Sequence, residues 1–319
     1  MSASYVDGVL YWTLPDGATF AAGGENPNCT VEACPIEFSV YGYRPTLPGS
    51  AALIALYGIC MIVQIVLGIR YKTWWFMGAM VLGCIDEILG YAGRILYYQN
   101  PWKEPGFIMQ IVCITLGPVF FSAAVYVILS RIILYIDAKA SRFNPIWIYW
   151  IFIPCDLIAL VLQAIGGSMS SNSNGRSQTG VDIALAGLGF QVATLTCFSV
   201  LAADYAFRSR RTWLNFKLAT NFKVFCAFLT LAILTIFIRC CYRVYELSEG
   251  YTRNSEALRD EPLFIGLESV MVIIAAYSLI IAHPGPVLVR GLNEGPAAQE
   301  QTMTEGKVRN ALESPGESD

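Results

Sequence analysis

Histidine is almost missing from this 319-residue chain: His283 is the single one. A membrane hydrolase using zinc ordinarily needs three protein ligands, most often histidine. The chain is therefore read as no enzyme, with no metal ligand and no cofactor. Charge is scarce too, Asp, Glu, Lys and Arg making up 14% of residues where a soluble domain carries about 25%. No basic cluster is large enough to hold nucleic acid. The pattern G-x-x-x-x-G-K-[ST] is absent, so nothing signals ATP-driven pumping. None of the ten cysteines forms a C-x-x-C pair. The first residues lack a basic segment followed by an apolar one, so no cleavable signal peptide is expected. The last residues carry neither a prenylation box nor a KDEL-type ending, leaving the plasma membrane as the default destination of a multi-pass protein.

Apolar sequence is plentiful. Hydrophobic residues make up 55% of the chain and the mean hydropathy is +0.51. Seven long apolar stretches stand out: Gly49–Ile69, Trp74–Tyr97, Phe107–Tyr135, Pro145–Met169, Val181–Phe207, Phe222–Cys241 and Leu263–Ala282. Each reaches the ~20 residues needed to cross a hydrocarbon core, and in lipid such a span satisfies its backbone only as a helix. The expected fold is a single all-α bundle of seven transmembrane helices over residues 49–290. Residues 1–48 form an extracellular segment, and residues 291–319, rich in Gly, Glu, Gln and Ser, a disordered cytoplasmic tail.

Orientation follows from the basic residues. With the N-terminus outside, the inner loops hold Arg70 and Lys72, Lys139 and Arg142, then Arg208, Arg210, Arg211 and Lys217, with Arg290 in the tail. The positive-inside rule therefore favours N-out and C-in. Asn28-Cys29-Thr30 is a glycosylation sequon, usable only on the lumenal side. Cys29 and Cys34 are the two cysteines outside the spans, and an outside location would let them pair. The remaining cysteines read as small core residues. Trp74, Trp75, Trp102, Trp147, Trp150 and Trp213 sit at span ends, as interfacial anchors do. Gly78, Gly83, Gly90 and Gly93 permit close approach to the second span. Pro118 and Pro154 predict bends.

Function is sought in the polar residues kept inside the spans. Glu87, Tyr91 and Arg94 share one face of the second span at i, i+4 and i+7, and Glu87 with Arg94 is expected to act as a buried pair. Asp156 and Gln163 share a face of the fourth span, while Gln191 lies on the fifth. Arg239, Tyr242, Arg243 and Glu246 make a complete polar face on the sixth, and Glu268 lies early in the seventh. The topology puts Glu87 and Asp156 near mid-membrane and the others in the outer half, which implies one polar cavity. Buried ion pairs also serve packing and register alone. Three carboxylates (Glu87, Asp156, Glu268) face three guanidiniums (Arg94, Arg239, Arg243), so counting charges does not give the sign of a ligand. His283-Pro284-Gly285-Pro286 reads as a helix terminator.

Through Tyr41-Gly42-Tyr43-Arg44-Pro45-Thr46-Leu47, Arg70-Tyr71-Lys72-Thr73-Trp74-Trp75 and Glu87-Ile88-Leu89-Gly90-Tyr91-Ala92-Gly93-Arg94 the chain resembles the fungal RTA-like family of lipid-translocating exporters. The resemblance continues at Gln110-Ile111, Pro118, Arg131-Ile132, Asp156 and Gln163-Ala164-Ile165-Gly166-Gly167. Arg239, Tyr242-Arg243-Val244-Tyr245-Glu246 and His283-Pro284-Gly285 complete it, over about residues 41–290. Glu268 stands where the family usually has Asp. The resemblance implies seven spans, transport of amphiphilic lipids such as sphingoid long-chain bases, and resistance to toxic amphiphiles. Porphyrin or haem transport is the neighbouring alternative.

For a sphingoid base, the carboxylates would pair with the amine, and Tyr91, Gln163 and Gln191 would bond the hydroxyls. Movement would be passive, or coupled to a proton through Glu87, Asp156 or Glu268. A seven-helix lipid sensor signalling to a cytoplasmic partner is the reading from a different class; ligand-dependent recruitment of such a partner would mark it.

Overall fold

The first span starts at Thr46-Leu47-Pro48, where a proline loses nothing because helix-opening N–H groups lack partners anyway. Helix α1 (Leu47–Tyr71) ends at Lys72, which takes the left-handed conformation (φ 56°) that closes many helices. Helix α2 (Trp74–Gln99) follows at once. Then come α3 (Glu104–Ile136), α4 (Pro145–Asn172), α5 (Gln178–Arg208) and α6 (Thr220–Ser248). The last span, α7 (Glu261–Ile281), contains a π-helical stretch, Ile265–Val270. This computed structural model describes residues 2–6, 9–13, 19–21, 28–32, 34–39, 41–136, 144–172, 178–209, 220–248 and 260–286. Among the described residues, seven helices are long and apolar enough to cross a membrane, so the chain is a multi-pass membrane protein. The tail at 291–319, Lys139, Arg142, Arg210, Arg211, Trp213, Lys217 and Arg290 lie outside the described residues.

Sequential helices pack side by side and α7 closes the ring against α1, while α3 also reaches α6 and α7. Helix α3 is the most deeply buried span, and α1 and α4 are the least. Ile59, Ile62, Val66 and Ile69 of α1 and Trp147, Trp150, Ile151, Leu157, Ile158 and Val161 of α4 point outward. A wide apolar exterior of this kind fits a lipid solvent. The interior is apolar around Tyr57, Met80, Phe121, Tyr126, Phe198, Phe225 and Leu279. Gly83, Gly90 and Gly93 put α2 directly against Phe121, Ile114 and the Gln110 backbone of α3. Gly78, expected on the same seam, faces open space.

The segment before α1 holds strands that the sequence reading did not anticipate. Strands β1 (Ser2–Val6), β2 (Val9–Thr13) and β3 (Thr19–Ala21) form an antiparallel sheet in that order. A disulfide joins Cys29 to Cys34. Both pack on Trp102, with Trp12, Phe20, Val31 and Ile36 around them. Trp102 is thus a core residue at 5% exposure and no interfacial anchor, whereas Trp75 at 83% fits that role. Asn28 and Thr30 of the sequon are exposed.

At the opposite face, the end of α7 closes the α1–α2 turn. His283 accepts a hydrogen bond from Gly285 N–H at Nδ1 (3.0 Å). Its Nε2 lies 3.4 Å from Thr73 Oγ1, and its ring sits against Phe76 and Tyr71. Gly285 abuts Tyr71 so closely that a Cβ would overlap that ring. His283 is therefore a structural latch as well as the helix end. Burial lowers its imidazole to about 4, from an unfolded value of about 6.5. As pH falls below about 6.5 the unfolded chain takes up this proton first, so the contribution of neutral His283 is whole above that value and lost by about 4. His283→Asn is expected to flatten the fall in melting temperature across that window. An unchanged slope would show that the latch does not titrate.

Candidate functional site

The polar residues of the bundle fall into groups stacked from its centre to the face bearing the N-terminal segment. The central group is built on Arg239 of α6 and Glu268 of α7, both 0% exposed. Arg239 Nε and Nη2 donate to Glu268 Oε1 at 3.0 and 2.7 Å. Nη2 also donates to the carbonyl of Ile114 at 2.9 Å. Proline has no N–H, so Pro118 leaves the carbonyl four residues earlier without its helical partner, and that carbonyl is Ile114. The guanidinium of α6 thus fills the rung that α3 lacks. The π-helical stretch carries Glu268 itself; such widened turns are frequent at functional sites.

Glu87 enters the same neighbourhood from α2. It is 0% exposed, and neither carboxylate oxygen has a hydrogen-bond partner among the described residues. Its carboxyl lies against Gly117, where a Cβ would stand 2.6 Å from Oε1. It feels the charges of Arg239 and Glu268. Among the described residues Glu268 Oε2 also lacks a partner, while the Tyr91 and Ser269 hydroxyls lie within reach of each other beside it. Two acids therefore lie near one guanidinium in a buried interior, where each ion costs several kcal/mol to desolvate. The pair Arg239–Glu268 is compensated and Glu87 is not.

Nearer the N-terminal face, Arg243 pairs with Glu246 and reaches Thr115 Oγ1 at 3.4 Å. Tyr242 is buried with its hydroxyl unpartnered. At the face itself Arg94 Nη2 donates to Glu261 Oε1 (3.1 Å) and Tyr43 Oη (3.3 Å). Its guanidinium also stacks over Phe264. The same Glu261 oxygen accepts from Thr46 N–H (2.8 Å) and Thr46 Oγ1 (3.2 Å). Gln110 Nε2 donates to Tyr41 Oη, and Arg44 donates to the Tyr98 carbonyl. Burial, with Tyr43 close by, holds the Tyr41 phenol well above its usual range, so it stays neutral. The N-terminal segment is thereby tied over the end of the bundle.

Two expectations need correction. Arg94 pairs with Glu261, not with Glu87, because i, i+7 is two full turns, about 10 Å along the axis. Glu261 was absent from the expected site; as one acid among several in a loop, it had no local signal. The expected residues also form several groups instead of one network. Asp156 accepts from Tyr126 Oη at 2.8 Å, and half-buried Gln163 donates to buried Gln191 at 3.0 Å between α4 and α5. In a double-mutant cycle, Arg94→Ala and Glu261→Gln are expected to couple by about 0.5–3 kcal/mol, with Arg94 and Glu87 nearly additive. The reverse pattern in thermal stability would overturn this pairing.

The sequence model described as RTA1-like protein matches residues 80–290, two thirds of the chain and every helix of the central group. The chain belongs to the RTA1-like family. Among its RTA1-like relatives is a sphingoid long-chain base transporter of Saccharomyces cerevisiae strain Lalvin EC1118, 30% identical over 296 residues, 80% of this chain and 76% of the relative. A lipid-translocating exporter-like protein of Leptosphaeria maculans is 28% identical over 297 residues, 86% of this chain and 56% of the relative. Protoporphyrin uptake protein 1 of Saccharomyces cerevisiae is 27% identical over 205 residues, 62% of this chain and 65% of the relative. No solved structure matches this RTA1-like chain.

Proposed function

We propose that the protein moves amphiphilic lipids, sphingoid long-chain bases first among them, from one leaflet of the plasma membrane to the other, and thereby contributes to resistance to toxic amphiphiles. The uncompensated, fully buried carboxyl of Glu87 carries this reading. A long-chain base brings one ammonium on an alkyl tail, the complement of a carboxyl beside an already paired Arg239. Tyr91 and Ser269 offer hydroxyls for the neighbouring polar groups of the base, and the tail stays in lipid. Names of relatives point the same way, one being a sphingoid long-chain base transporter and another lipid-translocating exporter-like. A protoporphyrin carries carboxylates, which a site with an acid in excess would repel, so the base is favoured over the porphyrin.

The orientation is N-terminus outside, which puts the exposed Asn28 on the glycosylated side. Endoglycosidase treatment of protein made in a eukaryotic host is expected to shorten it, and Asn28→Gln to abolish that shift. A C-terminal tag reached from outside intact cells would refute this orientation. The transport reading is tested with labelled sphinganine in liposomes containing the purified full-length protein: protein-dependent loss of label from the outer leaflet is expected, and movement no faster than in empty liposomes would end the proposal.

A further inference from the structure

We propose that Glu87 is a proton-exchange site, holding a proton when the transporter is empty and surrendering it to an incoming ammonium, so that one proton moves against each base. This inference rests on the transport reading above and adds its coupling ion.

Three observations carry it. Glu268 receives two hydrogen bonds from Arg239, so the guanidinium is already committed to that acid. Arg239 is further held by the Ile114 carbonyl and so cannot turn to serve both acids fully. Glu87 has no donor for either oxygen among the described residues and no exposed surface. With both acids ionised the cluster would hold one excess negative charge in a fully buried place, the least favourable state there. A proton on Glu87 makes the cluster neutral. Among the described residues no three acidic, histidine or cysteine side chains converge as a bound metal ion would require. A proton needs no such shell.

The surroundings of Glu87 are defined on every packed helix. Tyr57 faces it from α1 and Cys113 from α3; Arg239 comes from α6 and Glu268 from α7. Its own helix adds Cys84, Asp86 and Tyr91. Arg239 is the one cation among these groups, and it is already engaged. When a base arrives, the O–H bond of Glu87 breaks, the proton leaves to water and the carboxylate takes the ammonium. The site carries the same net charge before and after. Release of the base reverses the exchange, and Glu87 takes a proton from the side on which the base departs. Transport is then electroneutral and driven by a proton gradient.

The test is calorimetry on the full-length protein in detergent, titrated with sphinganine near neutral pH in buffers of different ionisation enthalpy. The primary ammonium of the base titrates well above neutral pH and arrives charged, so a proton released on binding comes from the protein. About one proton per base bound is expected from wild type and none from Glu87→Gln. Infrared spectra of the wild type alone give a second measure, independent of how the variant folds: the protonated-carboxyl stretch is expected to vanish on adding sphinganine. Binding with no proton release, or with that stretch unchanged, overturns the exchange and leaves transport standing. No binding and no movement of sphinganine by wild type would instead remove the transport reading beneath it.

Discussion

Arg239→Met is expected to be the most destabilising single substitution in the protein. It strands Glu268 as a buried, uncompensated carboxylate, and breaking a buried pair by removing one partner costs about 3–5 kcal/mol. It also strips the Ile114 carbonyl of the donor that replaces the missing Pro118 N–H, another 1–3 kcal/mol or so. Together these shift the folding equilibrium by roughly a thousandfold or more. Little folded protein should survive, read as loss of the monodisperse peak in detergent and of delivery to the membrane. Adding Glu268→Met should recover much of the loss, since an apolar replacement of both partners is often neutral. It should not recover all of it, because the Ile114 carbonyl stays unpaired. Wild-type stability in the single variant would show that the pair contributes nothing to folding.

Glu87→Gln should do the opposite: stability equal to or above wild type, transport of sphinganine reduced about tenfold to a hundredfold. Gln has nearly the volume of Glu, and among the described residues the acid has no donor to lose, so the substitution removes the cost of keeping a buried carboxyl protonated without breaking any bond. What it removes is the charge that an ammonium would meet, and a hydrogen bond to a charged group is worth about 1.5–3 kcal/mol. Gly117→Ala offers an independent approach, because its Cβ would displace the Glu87 carboxyl while leaving its chemistry intact. Transport by Glu87→Gln at the wild-type rate, with equal protein in the membrane, would take Glu87 off the path. The two variants together separate the acid that holds the fold from the acid that meets the ligand.

The seven spans were legible in sequence because lipid leaves the backbone one option and length does the rest. The burial of Glu87, Arg94, Asp156, Arg239 and Glu268 was legible for the same reason: ionisable groups in a span must turn inward. Pairing was not. Helical phase puts Glu87 and Arg94 on one stripe, but the partner of Arg94 comes from Glu261, 167 residues away, and no local pattern reports that distance. The equal count of acids and guanidiniums concealed a local inequality, since Arg94 and Arg243 find acids outside the central group and leave Glu87 over. The π-helical stretch in α7 had no signature either: its Gly266, Glu268 and Ser269 interrupt the apolar run, but such residues do not by themselves mark a widened turn. The strands of the N-terminal segment carry no comparable mark, because runs of three to five residues fall far below the length of a span.

A proline in the middle of a membrane helix ordinarily makes a flexure point, because the missing hydrogen bond lets the two halves swing. In α3 that freedom is splinted from outside: the bond closing the gap belongs to α6, and α6 is in turn bolted to α7 by the same guanidinium. The joint cannot open by itself. Any rocking that bends α3 at Pro118 must drag both partners or tear the guanidinium from its acid, so these three helices behave mechanically as one stator. Glu87 lies outside that lock, on a helix whose glycines ride closely along α3, and is the acid free to change state without releasing it.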